Sequence, residues 1–193
     1  MKTIIITGTP GTGKTTLSKQ LAKKLNLSYI DANLIIRKYN LSEGYDRKRK
    51  TKIIDTKKLN QALIKEIKIY NKSYFNIQKS KKYTKNLTKS IKTQKQIKNG
   101  IIIDSHLSHC LPNKYVDLCI VTKCSLKTLE KRLKKKKYDK SKIRENLDAE
   151  IFDICLNEAK ENKHTALIID TTKGINISKI SARVGGFIGI KQS

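Results

Sequence analysis

Five short apolar runs recur along the chain, most of them rich in β-branched residues and each closed by a polar side chain: 2–7, 27–31, 100–104, 116–122 and 166–170. Near-continuous runs of this length predict strands buried on both faces. Between them the apolar spacing changes to three and four. Leu17, Leu21 and Leu25 mark a helix over 16–25, and Leu34, Ile35 and Ile36 a short one over 32–40. Leu59, Ala62, Leu63 and Ile67 predict a helix over 55–69 with Asp55 or Thr56 as its N-cap. Leu126, Leu129 and Leu133 mark another. A single long helix is predicted over 141–162, with Ile143, Leu147, Ile151, Ile154 and Cys155 facing inward, and a last one over 177–184. Residues 43–46 read as a turn, 47–52 as a solvated loop and 171–174 as a turn. The pattern assigns no element to 185–190.

Strands alternating with helices indicate an α/β fold with a parallel sheet covered on both faces. Right-handed crossovers gather the strand C-termini on one edge. To that edge the sequence brings the segment after the first strand, Asp104 and the 171–174 turn.

The first of these carries the clearest chemistry. Gly8-Thr9-Pro10-Gly11-Thr12-Gly13-Lys14-Thr15 matches G-x-x-x-x-G-K-[ST] between a predicted strand and a predicted helix. Glycines such as Gly11 and Gly13 let backbone N–H groups crowd around phosphate oxygens, and the helix N-terminus adds partial positive charge. In that setting Lys14 reaches the β- and γ-phosphates and Thr15 ligates Mg2+, so a nucleoside triphosphate is the expected ligand. A glycine-rich turn before an ordinary helix is the plainer alternative.

Asp104, at the end of Ile101-Ile102-Ile103, fits a carboxylate that holds Mg2+ or its water shell; a strand-end Asp can also simply cap the next turn. His106 is suited to positioning a hydroxyl, donating to a phosphate or satisfying backbone groups, while His109 reads as structural. The basic segment 132–144 suits a flap that closes over phosphates, although a lysine run is often only a solvated face.

Composition changes this picture in one respect. The formal net charge is +27, an unusual excess that suits an anionic partner such as RNA. Only six of the 43 basic residues are arginine, so a lysine-favouring, A·T-rich coding sequence explains it equally well. The excess concentrates in 68–99, with ten lysines, no acidic residue and Tyr70, Tyr74, Phe75 and Tyr83 interleaved. That mixture fits single-stranded RNA by charge and stacking, or a solvated insertion without a partner. The four cysteines show no metal-ligand spacing and read as small buried side chains in a reducing cytoplasm. No apolar run is long enough to span a membrane, and the first strand leaves no room for a signal peptide.

The loop from Gly8 to Thr16, together with Asp104-Ser105-His106, resembles the adenylate kinase isoenzyme 6 family, the archaeal and nuclear adenylate-kinase-like proteins. Leu41-Ser42-Glu43-Gly44-Tyr45-Asp46, Tyr138 with Glu145, Asn146 and Glu150, and Ile169-Asp170-Thr171-Thr172 extend the resemblance over most of 1–175. It implies one P-loop domain over 1–193 with a nucleoside-monophosphate-kinase fold, a three-layer α/β/α sandwich on a five-stranded parallel sheet. An NMP-binding flap would fall at 31–54, a lid at 135–145 and a lysine-rich insertion at 68–99, longer than the family has there.

By the same resemblance Lys14, Asp104 and His106 are catalytic. Gly11, Gly13, Lys14, Thr15, Thr16, Arg132, Lys136 and Lys173 bind ATP, Arg37 and Tyr45 bind the NMP, and Thr15 and Asp104 hold Mg2+. Lys136 stands where the family tends to carry an arginine, which keeps the charge and loses the planar fork. The implied activity is ATP + AMP = 2 ADP, with ATPase activity and a link to small ribosomal subunit maturation through a ribosomal protein and rRNA. The rival expectation is an RNA- or ribosome-associated assembly ATPase whose kinase activity is incidental.

Overall fold

The computed structural model describes residues 1–47, 51–83 and 98–189, without the side chains of 77–83. The five apolar runs form one parallel sheet of β1 (Lys2–Thr7), β2 (Ser28–Asp31), β5 (Gly100–Asp104), β6 (Leu118–Lys123) and β7 (Ala166–Asp170). Their order is β2-β5-β1-β6-β7, so the strand carrying the glycine loop lies at the centre. Ile6 stands beside Asp104 on β5 and beside Ile120 on β6, which brings the ends of three strands to one level.

Alternation along the strands builds two cores. Ile4, Ile6, Ile102 and Ile120 pack with Leu17 and Leu21 of α1 (Lys14–Lys24) and Val184 of α7 (Ile177–Ile188). Ile5, Ile101, Ile103 and Val121 point the other way. There they meet Ile35 of α2 (Ala32–Lys38), Leu63 and Ile67 of α3 (Thr56–Tyr83) and Leu156 of α6 (Ile154–Glu161). A satellite cluster joins Leu129 and Leu133 of α4 (Leu126–Lys135) to Ile143 of α5 (Lys140–Ile151). The layers are those expected of a P-loop kinase.

Four local expectations fail. Where a turn at 43–46 and a loop reaching 52 were expected, β3 (Ser42–Asp46) and β4 (Thr51–Ile54) pair as antiparallel strands, because ladder pairing outweighs the turn-forming residues. The helix predicted to stop at 69 continues to Tyr83, into the lysine-rich insertion. Residues 84–97 of that insertion lie outside the described residues, as do 48–50 of the expected flap. The 141–162 helix breaks into α5 and α6 at Asp153, whose φ of 53° is left-handed and whose carboxylate pairs with Lys123. Finally, α7 runs past Val184 through Gly185 and Gly186 and ends at Gly189, φ 66°, where the missing Cβ permits the helix stop. Among the described residues no helix is long and apolar enough to cross a membrane.

Candidate active site

The turn after β1 needs its glycines for two separate reasons. Gly8, Gly11 and Gly13 all have φ between 95° and 135°. A Cβ on Gly8 would also lie 2.4 Å from the Thr122 carbonyl, and one on Gly11 would lie 2.9 Å from Leu129 Cδ1. The loop is thus pressed onto β6 and α4. Thr12 Oγ1 donates to the Thr9 carbonyl at 2.8 Å and sits 2.6 Å from Thr122 Oγ1, and Thr171 Oγ1 donates to the Thr12 carbonyl at 2.6 Å.

Arg132 of α4 braces the same loop. Its guanidinium donates to the Gly11 carbonyl (3.4 Å), to Thr171 Oγ1 (3.0 Å) and to the Thr171 carbonyl (2.7 Å). The planar fork presents several N–H donors in a fixed geometry, which bridges the two segments. The 171–174 turn read from the sequence is therefore part of the site, held through Thr171.

Lys14 Nζ folds back to donate to the Gly8 carbonyl at 2.7 Å and the Thr9 carbonyl at 3.0 Å. Burial pulls its pKa down to about 8, partly offset by the nearby Cys155 and Asp104. A desolvated ammonium resting on neutral carbonyls gains by meeting an anion. Burial, with Lys14 and His109 nearby, lowers His106 to about 4, so its ring is neutral at pH 7. It can donate or accept a hydrogen bond there, but it supplies no positive charge.

A cleft of about 910 Å³ opens over the loop, large enough for more than one nucleotide-sized group. Gly11, Gly13, Lys14, Thr15, Thr16, His106, Arg132 and Lys136 line it, all of them expected site residues. Asp104 is buried at the end of β5, and its Oδ2 accepts the Tyr29 hydroxyl at 3.1 Å. Its carboxylate and the Thr15 hydroxyl offer the hard oxygen donors that suit Mg2+. Among the described residues no group of three or more His, Cys, Asp or Glu side chains could cage a metal. Mg2+ keeps several waters and takes only one or two protein oxygens, so this donor set fits it.

Four expected residues, Asp104 among them, are absent from the cleft lining. Lys173 is exposed, although its neighbours Gly174 and Ile175 line the wall. Arg37 on α2 and Tyr45 on β3 are exposed and outside the lining; Asn33 and Thr51 from the same region are in it instead. Tyr138 and Lys142 join the wall on the opposite side, with Lys142 Nζ 4.7 Å from the Tyr138 ring centroid.

Residue-by-residue reading missed the support from Tyr29 and read His109 as structural without its partners. Tyr29 holds Asp104. His109, buried, has Nδ1 2.7 Å from Thr7 Oγ1 and Nε2 2.6 Å from Glu158 Oε2, so it pins the segment after Asp104 to the end of β1. Glu150 was among the residues that carry the family resemblance, and its place three past Leu147 and seven past Ile143 puts it on the inward stripe of its helix. That is a signal for a buried acid, but not for its partner.

Comparison with known proteins agrees with this geometry. A family model described as an AAA domain matches residues 4–153. An adenylate kinase isoenzyme 6 homolog of Schizosaccharomyces pombe is 32% identical, the match covering 86% of this chain and 79% of that one. A Methanocaldococcus jannaschii protein whose name also carries the words adenylate kinase is 35% identical, over 88% of this chain and 76% of that one. Among solved structures, a sugar kinase from Janibacter sp. HTCC2649 superposes with a TM-score of 0.56 at 14% identity, over 98% of this chain and 95% of that one. At that identity the likeness speaks for the fold alone.

Proposed function

From the premise that this chain belongs to the adenylate kinase isoenzyme 6 family, we propose that it transfers the γ-phosphoryl of ATP to AMP, giving two ADP. The observation that carries the reading is Lys14, desolvated and parked on two loop carbonyls, facing a cleft shared with His106, Arg132 and Lys136.

In the proposed cycle the loop amides and the α1 N-terminus take the donor phosphates, and Lys14 leaves Gly8 and Thr9 for the β- and γ-oxygens. Thr15 and Asp104 would hold Mg2+, which neutralises charge between β- and γ-phosphates when bound. Neutral His106 orients the acceptor oxygen by a hydrogen bond. Arg132 and Lys136 balance charge that develops on the transferred group, and Lys173 lies beside the base. Residues 31–54 act as the acceptor flap, with Arg37 and Tyr45 turning inward on closure, and 135–145 as the lid. Such movement would exclude water, and it is why exposed flap residues are compatible with this role. Without an acceptor, slow transfer to water would give an ATPase activity.

A second reading has a separate observation behind it. The charge of +27 and the basic 68–99 segment favour binding to RNA during small-subunit assembly, with hydrolysis as the driving step. ADP formation from ATP with each NMP, measured beside phosphate release from ATP alone, separates the two. The kinase reading expects AMP to raise nucleotide turnover well above hydrolysis, and Lys14→Ala to lower it about 10³-fold. Equal turnover with and without every NMP would refute it.

A further inference from the structure

Glu150, near the C-terminal end of α5, is 7% exposed. Its Oε2 accepts from Thr9 Oγ1 at 2.6 Å, and its Oε1 accepts from the backbone N–H of Cys124 at 3.0 Å. No lysine or arginine among the described residues forms an ion pair with it. A buried carboxylate held by two neutral donors is costly, and the C-terminal turn of a helix is an unfavourable place for negative charge. Core packing would be served better by a leucine at this point of the stripe.

The carboxylate holds something that a leucine cannot. Thr9 is the hub of the loop, because its carbonyl receives Lys14 Nζ (3.0 Å), the Thr12 N–H (3.2 Å) and Thr12 Oγ1 (2.8 Å). Glu150 fixes that residue by its side chain, and the same carboxylate ties it to the turn between β6 and α4. Arg132 grips the loop two residues further on, at Gly11. Arg132 and Glu150 lie on either side, in sequence, of the 136–139 segment between α4 and α5, part of which walls the cleft. Arg132, four residues before that segment, and Glu150, at the far end of the helix that follows it, both hold the loop.

We propose that Glu150 is a positioning residue for the phosphate loop, acting through Thr9 and coupling the C-terminal end of α5 to the place where phosphates bind. The proposal rests on the nucleotide-binding part of the reading above and is independent of the acceptor.

ATP affinity of the full chain by titration calorimetry, with Tm followed by circular dichroism, tests it. Glu150→Ala and Thr9→Val each weaken ATP binding about tenfold, the worth of one charge-assisted hydrogen bond. The double variant is no weaker than the worse single one, because both cut the same tether. Glu150→Gln, whose amide can bridge the same two groups, returns affinity to within about threefold of the starting protein. A Glu150→Ala protein that loses Tm yet binds ATP within twofold of the original overturns the proposal, as do penalties that multiply in the double variant. Should Glu150→Ala fail to fold, Thr9→Val decides: about tenfold weaker binding supports the proposal and unchanged affinity overturns it. An unmodified protein that binds ATP but makes no ADP with any NMP refutes the kinase reading and leaves this one standing.

Discussion

The two sides of the cleft are built differently. On the donor side each part of the loop has a tether from another element. Thr9 is held from α5, Gly11 from α4, and Thr12 from β6 and from the turn after β7. On the side proposed for the acceptor α2 is seven residues long, the β3–β4 hairpin is largely exposed, and Tyr45 stands 58% open. The main polar anchor of α2 is Glu66 of α3, which accepts from Lys38 Nζ at 2.5 Å and from the Tyr39 hydroxyl at 2.8 Å. Phosphate binding needs amides fixed before the ligand arrives, because each one left to be ordered on binding costs affinity. An acceptor that must enter and be enclosed needs a wall that moves. The tethered loop meets the first requirement, and the proposed acceptor flap is the part assigned to the second.

Three changes would break or sharpen this contrast. The largest effect is expected from Gly11→Val, where the side chain meets Leu129 at a φ of 97°. The strain displaces the loop, and turnover should fall at least about a hundredfold with ATP binding lost in parallel. Steady-state kinetics beside calorimetry would check it, and normal ATP affinity would show the donor side to be less rigid than described. Next, Arg37→Ala should raise the KM for AMP about tenfold while leaving the KM for ATP unchanged, as expected for a charge that meets only the acceptor phosphate. Equal effects on both substrates would remove the division between the two sides.

The smallest effect is on stability. Burial alone would raise the Glu66 pKa, but hydrogen bonds from Lys38 and Tyr39 outweigh it and hold the carboxyl below its ordinary value. A carboxylate with a depressed folded-state pKa contributes stability that is fully present above about pH 4.3, the ordinary unfolded value. That contribution is lost as pH falls through the lower folded value. Glu66→Gln should therefore lower Tm by roughly 2–4 °C at pH 7, discounted for the exposure of Lys38, and by less at pH 3. An equal loss at both pH values would mean that packing, not charge, attaches α2.

Legibility in the sequence tracked the distance over which each feature is encoded. The phosphate loop occupies eight consecutive residues between two elements with clear periodicity, so its place and ligand class could be read directly. Asp104 was visible because a carboxylate closing an apolar strand falls on a known edge of a parallel sheet. Tyr29 supports Asp104 from 75 residues away, and Glu150 supports Thr9 from 141 away. No local pattern encodes pairs so far apart. The break at Asp153 was hidden for a related reason. The inward stripe continues across it without interruption, and what accompanies the kink is a residue on another strand, Lys123.

By itself, then, the sequence determined the five strands, their parallel arrangement, the phosphate loop with Lys14 and Thr15, and the edge to which Asp104 and His106 belong. These follow from side-chain periodicity and glycine geometry, which act within a few residues. Tertiary structure alone decided that Lys14 rests on its own loop, that Arg132 and Glu150 grip that loop from α4 and α5, and that 42–46 pairs with 51–54. Those outcomes depend on which buried donors find acceptors once the elements have packed. Burial makes an unmatched polar group expensive, so the partners are chosen by the fold as a whole.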